Sequence, residues 1–147
     1  MADRHGPIRT GRFNVEIEEV EVPGWQSVTI PSSSTEMGEY SEGEGDYDEQ
    51  LWVRTTFQDL HMERGVQPGD TRMVDWRNEL RDGNVDDGQK EVAVILQDEE
   101  GENLIRWEFH DAWIKYYNPP DLNAAADGEV ATEEITLGFD EIERLEQ

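Results

Sequence analysis

Residues 90–117 read KEVAVILQDEEGENLIRWEFHDAWIKYY. Lys90 to Gln97 is the most continuously apolar run in the chain, and its β-branched content predicts a strand buried on both faces. Asp98 to Gly101 is polar, ends in glycine and predicts a hairpin turn. Beyond it Ile105, Trp107 and Phe109 alternate with Arg106 and Glu108, the period of two that a half-buried strand requires. Ala112 to Tyr117 continues with Trp113 and Tyr117 until Asn118-Pro119-Pro120 stops it. Two adjoining strands joined by a tight turn are antiparallel, so this stretch places the chain among the β proteins.

The same alternation recurs on both sides. Residues 12–22, RFNVEIEEVEV, predict one strand with Phe13, Val15 and Ile17 turned inward. Pro23-Gly24 interrupts it, and Trp25 to Ile30 resumes an extended stretch. Residues 54–64 predict a strand with Leu60 and Met62 on one face. Val130 to Phe139 predicts another, with Ile135, Leu137 and Phe139 aligned. One helix is expected over about 70–82: Asp70 can cap it, Met73, Trp76 and Leu80 recur at helical spacing, and Gly83 supplies the stop. Ile142 and Leu145 in the tail suit a single helical turn. The candidate core is Phe13, Val15, Ile17, Trp76, Val94, Leu96, Trp107, Phe109, Ile135 and Leu137. The fold class is mainly β, a small β-barrel or sandwich of two packed antiparallel sheets with one flanking helix, in a single domain over 1–147.

Residues 35–50, TEMGEYSEGEGDYDEQ, hold three Gly and seven acids but also Tyr40 and Tyr47. Read alone this is a solvated loop, yet Leu51, Trp52 and Val53 follow at once. An extended arm over about 35–53 that is covered by a partner accounts for both halves. Tyr40, Tyr47, Leu51, Trp52 and Val53 are therefore the candidate contacts between subunits.

The chain has 147 residues with 36 acidic and 12 basic side chains, a formal net charge of −24. A field this negative repels a phosphate backbone, so specific nucleic-acid binding is not expected. Lysine is scarce, only Lys90 and Lys115. Acid excess with few lysines fits a high-salt cytoplasm, where multimolar salt screens self-repulsion within about 3 Å. No apolar run approaches about eighteen residues, and the N-terminus has no hydrophobic stretch, so neither a membrane anchor nor a signal peptide is expected. With no cysteine, disulfides and thiolate chemistry are excluded.

No enzyme motif emerges. His5, His61 and His110 are the only histidines, and the latter two fall opposite the apolar stripes of their strands, as surface or edge residues. Carboxylate pairs are too common among 36 acids to mean anything. Asp82 to Gly88 faintly echoes a calcium loop, but the sixth and twelfth positions hold Asp87 and Ala93 where Gly and Glu are required; a polar loop joining helix to strand is the plainer reading. No catalytic residue, metal site or cofactor is expected.

The order of segments along the chain carries a resemblance. HGPIRTGRFNVEIEEVEVPGWQSV at 5–28, LHMERGV at 60–66, DWRNELRDG at 75–83, the stretch from Val92 to Ala124 ending in NPPDLNA, and EVATEEITLGFDEIERL at 129–145 together resemble the inner tube proteins of contractile phage tails and phage-like contractile injection systems, including those with the haemolysin-coregulated-protein-like fold. The resemblance implies hexameric rings stacked into a hollow tube. Its partners would be further copies of itself, a sheath protein, baseplate or spike proteins, tube-capping proteins and lumenal cargo. It implies a mechanical role without enzyme activity, in a particle assembled in the cytoplasm and then released or virion-associated. Two alternatives stand beside the injection-system reading: the tail tube of a contractile-tailed virus, and a solitary acidic β-domain that binds calcium or another ligand.

Overall fold

The computed structural model describes residues 11–40, 49–125 and 130–146. The strands are β1 (Phe13–Ile17), β2 (Val20–Val22), β3 (Trp25–Thr29), β4 (Ser33–Tyr40), β5 (Glu49–Phe57), β6 (Leu60–Gly65), β7 (Lys90–Gln97), β8 (Asn103–Asn118), β9 (Thr132–Gly138) and β10 (Glu141–Glu146). Two helices, α1 (Arg72–Arg81) and the single turn α2 (Val85–Gly88), lie between β6 and β7.

Eight of the strands form one antiparallel sheet: seven follow the order β2-β1-β7-β8-β9-β6-β3, and β10 lies off that path, paired to β8. The long strand β8 belongs to both halves. Its first part pairs with β7 and β10, and from Trp113 onward it pairs with β9. Asp111, with φ of 53°, and the adjacent register shifts turn the corner between them. The path ends freely at β2 and β3, so the sheets pack without closing into a barrel. Both halves and α1 share one apolar cluster that includes Val15, Val92 and Phe109 from one, Leu60, Ile114 and Leu137 from the other, and Met73 and Trp76 from the helix.

Of the candidate core, Val15, Ile17, Trp76, Val94, Phe109, Ile135 and Leu137 are buried. Phe13 and Trp107 are half-buried and pack against the cluster, and Leu96 is half-buried. Val92 to Ile95 are all buried, so β7 is covered on both faces. The Asp98 turn is held by its own carboxylate, whose Oδ1 accepts the N–H groups of Glu100 and Glu102, both at 2.9 Å. Asp70 is not the helix cap: Thr71 holds the N-cap position without a side-chain capping bond, and Asp70 before it accepts the Arg72 N–H through Oδ1 at 3.1 Å. The helix ends at Arg81, and Gly83 follows the C-cap Asp82 with a φ of 88° that suits glycine.

Five further expectations are corrected. The strand expected over 12–22 folds back on itself: Glu18 and Glu19 both have positive φ, 53° and 66°, and make the two-residue turn between β1 and β2. This turn usually takes Asn or Gly; here β7 holds it, with Glu18 N–H donating to the Glu91 carbonyl at 2.8 Å and Glu18 Oε1 accepting the Glu91 N–H at 3.2 Å. The arm is not an extended loop, because its two sides pair as the β4–β5 hairpin. The strand expected over 54–64 is two, since Gln58 and Asp59 separate β5 from β6. The tail is strand β10 instead of a helical turn, because β8 offers it a free edge. The polar loop after α1 contains α2, on which Trp76 Nε1 donates to the Gly88 carbonyl at 2.8 Å.

Candidate assembly surface

The β4–β5 pair is a two-stranded sheet separate from the main path. Its root is well fixed. Gln58 N–H donates to the Ser32 carbonyl at 2.8 Å, and the hydroxyls of Ser34 and Thr56, then Thr35 and Thr55, meet across the strands at 3.1 and 3.3 Å. The Phe57 ring lies tilted at 51° against Phe139, 5.9 Å between centres, and Phe139 meets Phe109 edge-on at 5.1 Å, which ties the hairpin to the core. Phe57 is nonetheless 42% exposed.

The register sets Tyr40 opposite Glu49, Leu51 opposite Gly38 and Trp52 opposite Met37. Val53 is the extra residue at a bulge between the Arg54 and Trp52 pairings, where an isolated ribbon twists most. Tyr47 lies outside the described residues. A two-stranded ribbon of this length is marginally stable by itself, so its outer part is suited to completion by another surface.

Further unfinished borders lie on the body. Among the described residues, β2 pairs only with β1, β10 only with β8, and β3 only with β6. Val20 on β2 is 56% exposed and Leu145 on β10 is 37% exposed, so both ends of the β2-β1-β7-β8-β10 half carry an apolar side chain beside unpaired backbone. Val66, Val74, Tyr116, Leu122 and Val130 are exposed as well. Leu145 reads in the sequence as part of a helical turn, and Val20 as one more apolar residue of a single long strand; their places on open borders follow only from the strand pairing.

A buried polar network that the sequence reading also passed over fixes the junction of β3, β6, β8 and β9 beneath this surface. The Arg64 side chain is wholly buried. Its Nε donates to Glu133 Oε2 and its Nη1 to Asp70 Oδ2, both at 3.1 Å, and its guanidinium lies 5.5 Å from the Trp25 ring centre. Tyr117 donates its hydroxyl to Glu133 Oε1 at 2.8 Å. Burial, and then the bond to the Glu133 carboxylate, push the Tyr117 hydroxyl up to about 12. Burial also raises Asp70, but the Arg72 N–H and the Arg64 guanidinium outweigh it and hold that carboxyl below its ordinary value. The signal was present: Arg64 and Glu133 share the period-two faces of Leu60, Met62 and of Ile135, Leu137.

Charge is crowded across strands. Glu16 faces Glu21, Glu63 faces Glu134, and Glu108 faces Glu143. The hydrogen bond between the Glu63 and Glu134 carboxyls raises Glu63, with burial adding to it. His61 is exposed beside the Thr136 hydroxyl at 3.1 Å. His110 is half-buried and bridges two carboxylates, with Nδ1 2.5 Å from Glu91 Oε2 and Nε2 2.9 Å from Glu143 Oε1. Glu108, His110 and Glu143 bring possible metal-ligand atoms within 4.8 Å of one another, as do Asp98, Glu100 and Glu102. Among the described residues no helix is long and apolar enough to cross a membrane.

A β-rich body with one flanking helix, a separate hairpin and open sheet borders is the geometry that comparison with other proteins bears on. No curated protein matches the chain. The chain is similar to one in the sheath–tube complex of the extracellular contractile injection system PVC in its extended state, with 26% identity, a TM-score of 0.84, and coverage of 98% of this chain and 95% of that one. A chain in the tube-terminating cap of the anti-feeding prophage AFP shares the fold at 24% identity and a TM-score of 0.80, covering 100% and 96%. Hcp1 from Flavobacterium johnsoniae shares it more distantly, at 14% identity and a TM-score of 0.58, covering 92% and 95%. The family model of the T4-like virus tail tube protein gp19 matches residues 9–143, nearly the whole length, and the chain belongs to that family.

Proposed function

We propose that this chain is the tube subunit of a contractile injection system, a single tail-tube domain that stacks as hexameric rings around a hollow lumen. The observation that carries the reading is the likeness to the PVC sheath–tube chain, which extends over 98% of this chain and 95% of that one, so both have the same parts in the same order. The borders fit a heterologous assembly: β2 and β10 are different surfaces at opposite ends of one sheet, and repeated contact between unlike surfaces closes into rings or continues as a filament. The hairpin, with Tyr40, Tyr47, Leu51, Trp52 and Val53, is assigned to the contact between neighbouring subunits or rings.

In this role the tube works as a rigid conduit. A sheath protein shortens around it, a baseplate with its spike and a terminating cap bound it, and its subunits assemble in the cytoplasm into a particle that is then released. The function is mechanical and uses no catalytic step or cofactor. The negative surface leaves nucleic-acid cargo unbound. The facing glutamates Glu16 with Glu21 and Glu108 with Glu143 repel in dilute buffer, which supports a high-salt, haloarchaeal setting in which that repulsion is screened.

Purified protein at high concentration in multimolar KCl is expected to show rings or tubes by negative-stain electron microscopy. Monomers alone under those conditions would overturn the proposal. The virus-tail reading is favoured by the family's description as a virus tail tube protein. Neighbouring genes distinguish the two: capsid and terminase genes for a virus, a AAA-type ATPase and toxin cargo for an injection system.

A further inference from the structure

We propose that His110, Glu143 and Glu108 form a site for a divalent transition metal that clips the border strand β10 to β8, with Glu91 on β7 orienting the histidine. This goes beyond the tube role and does not depend on it. The register makes the site: Glu143 stands opposite Glu108, and Glu141 opposite His110, so the three ligand side chains gather on one face of two paired strands.

The ligand atoms lie within 4.8 Å of one another, and His110 Nε2 is already 2.9 Å from Glu143 Oε1. A tetrahedral zinc ion with bonds of about 2.0–2.2 Å separates its ligands by about 3.3 Å. The set therefore reaches that geometry by opening one contact and drawing in another through side-chain torsions, with the strands in place. One imidazole and two carboxylates suit zinc, cobalt or nickel better than calcium, which prefers six or more oxygens, and water completes the shell.

The surrounding groups are arranged as a metal-bound histidine needs them. Glu91 Oε2 accepts from His110 Nδ1 at 2.5 Å, while Glu91 Oε1 accepts the Asp111 N–H at 3.1 Å, which fixes the orienting carboxylate at both oxygens. A carboxylate on the far nitrogen selects the tautomer whose Nε2 lone pair is free for a metal. Glu108 is held through Oε2 by Arg106 Nε at 3.0 Å, and Arg106 in turn reaches Glu16 at 3.1 Å, so the second Glu108 oxygen remains for the metal. Without a metal, the facing carboxylates of Glu108 and Glu143 repel, and the His110 proton on Nε2 is their partial substitute. Metal binding displaces that proton. Affinity therefore falls as the medium is acidified, in a field set by Glu91 from β7, Glu108, Asp111 and Arg106 on β8, and Glu141 and Glu143 on β10.

The test is calorimetric titration of Zn2+ into the metal-stripped full chain in a non-coordinating buffer, beside His5→Gln, His61→Gln, Glu91→Gln, Glu143→Gln and His110→Gln. The expected result is one saturable site per chain. It is retained in His5→Gln and His61→Gln, weakened about 10- to 100-fold in Glu91→Gln, and lost in Glu143→Gln and His110→Gln. Zinc should raise the thermal midpoint of the wild type and not that of His110→Gln. Should the His110 variant fail to fold, zinc-edge X-ray absorption on the loaded wild type decides, with a single imidazole and otherwise oxygen ligands expected. No saturable binding, equal binding in folded His110→Gln, or a shell without imidazole overturns the proposal, as does calcium binding at the same stoichiometry and affinity.

Discussion

Replacing Arg64 by Met tests the buried network most directly. Met fills much of the same space with no charge, so the change leaves little cavity. What it leaves is a carboxylate: the Glu133 side chain is only 6% exposed and keeps the Tyr117 hydroxyl as its remaining bond. Asp70, 18% exposed, fares better, since water and the Arg72 N–H still reach it. The cost is therefore dominated by the stranded Glu133 charge. Removing one partner of a buried ion pair costs about 3–5 kcal/mol, against a total stability of about 5–15 kcal/mol for a domain. Arg64→Met/Glu133→Gln removes the charge and keeps an acceptor for Tyr117, so the double variant should recover most of the loss. Urea unfolding followed by tryptophan fluorescence, on unassembled subunits at several concentrations, reads this out, because Trp25 lies against the guanidinium. With a slope of about 1–3 kcal/mol per molar urea, the single variant should unfold at a midpoint at least about 1 M lower. A shift equivalent to less than about 1 kcal/mol, or strictly additive effects in the double variant, would refute the argument that an unpaired buried charge sets the cost.

Three other outcomes are expected. Deleting residues 38–50 should leave the circular dichroism and thermal midpoint of the body close to wild type while abolishing rings and tubes in electron micrographs, since the hairpin is a separate sheet; normal polymerisation would show that it is dispensable. Gly138→Ala should lower stability by about 1–3 kcal/mol in urea unfolding, because a Cβ there would stand 2.5 Å from Trp113 Cζ2. In EDTA, stability should decline at both ends of the pH range. The bond from Glu91 raises His110 above 6.5, against burial and with further help from Glu143, so its contribution is complete below about 6.5 and lost as pH rises through the raised value. Asp70 is held below 3.8, so its contribution is complete above that value and lost as pH falls through the lowered one. His110→Gln should flatten the alkaline limb and Asp70→Asn the acid limb, each without the other.

The sequence by itself determined the class of the fold and most of its interior. Alternation at Phe13, Val15 and Ile17 and the Ile105-to-Phe109 stripe are local patterns of strands with one face turned to water, and the unbroken run through β7 is the local pattern of a strand covered on both. The stop of the helix was equally local, set by Gly83 just past its C-cap, whereas its N-cap fell to Thr71 and not to Asp70. Even the buried Arg64 and Glu133 were legible, as charges standing in apolar rows.

Strand pairing was decided only in three dimensions. Glu18 and Glu19 make a turn without turn residues because Glu91, seventy-three residues further along, bonds the Glu18 side chain. Residues 35–53 look like a solvated arm until β4 finds β5, and Ile142 with Leu145 fits a helical turn until the open side of β8 claims it. The His110 cluster has the same origin, drawing its carboxylates from β7, β8 and β10. Hydrogen bonds between strands join residues far apart in the chain, and no local periodicity records which partner a border will have.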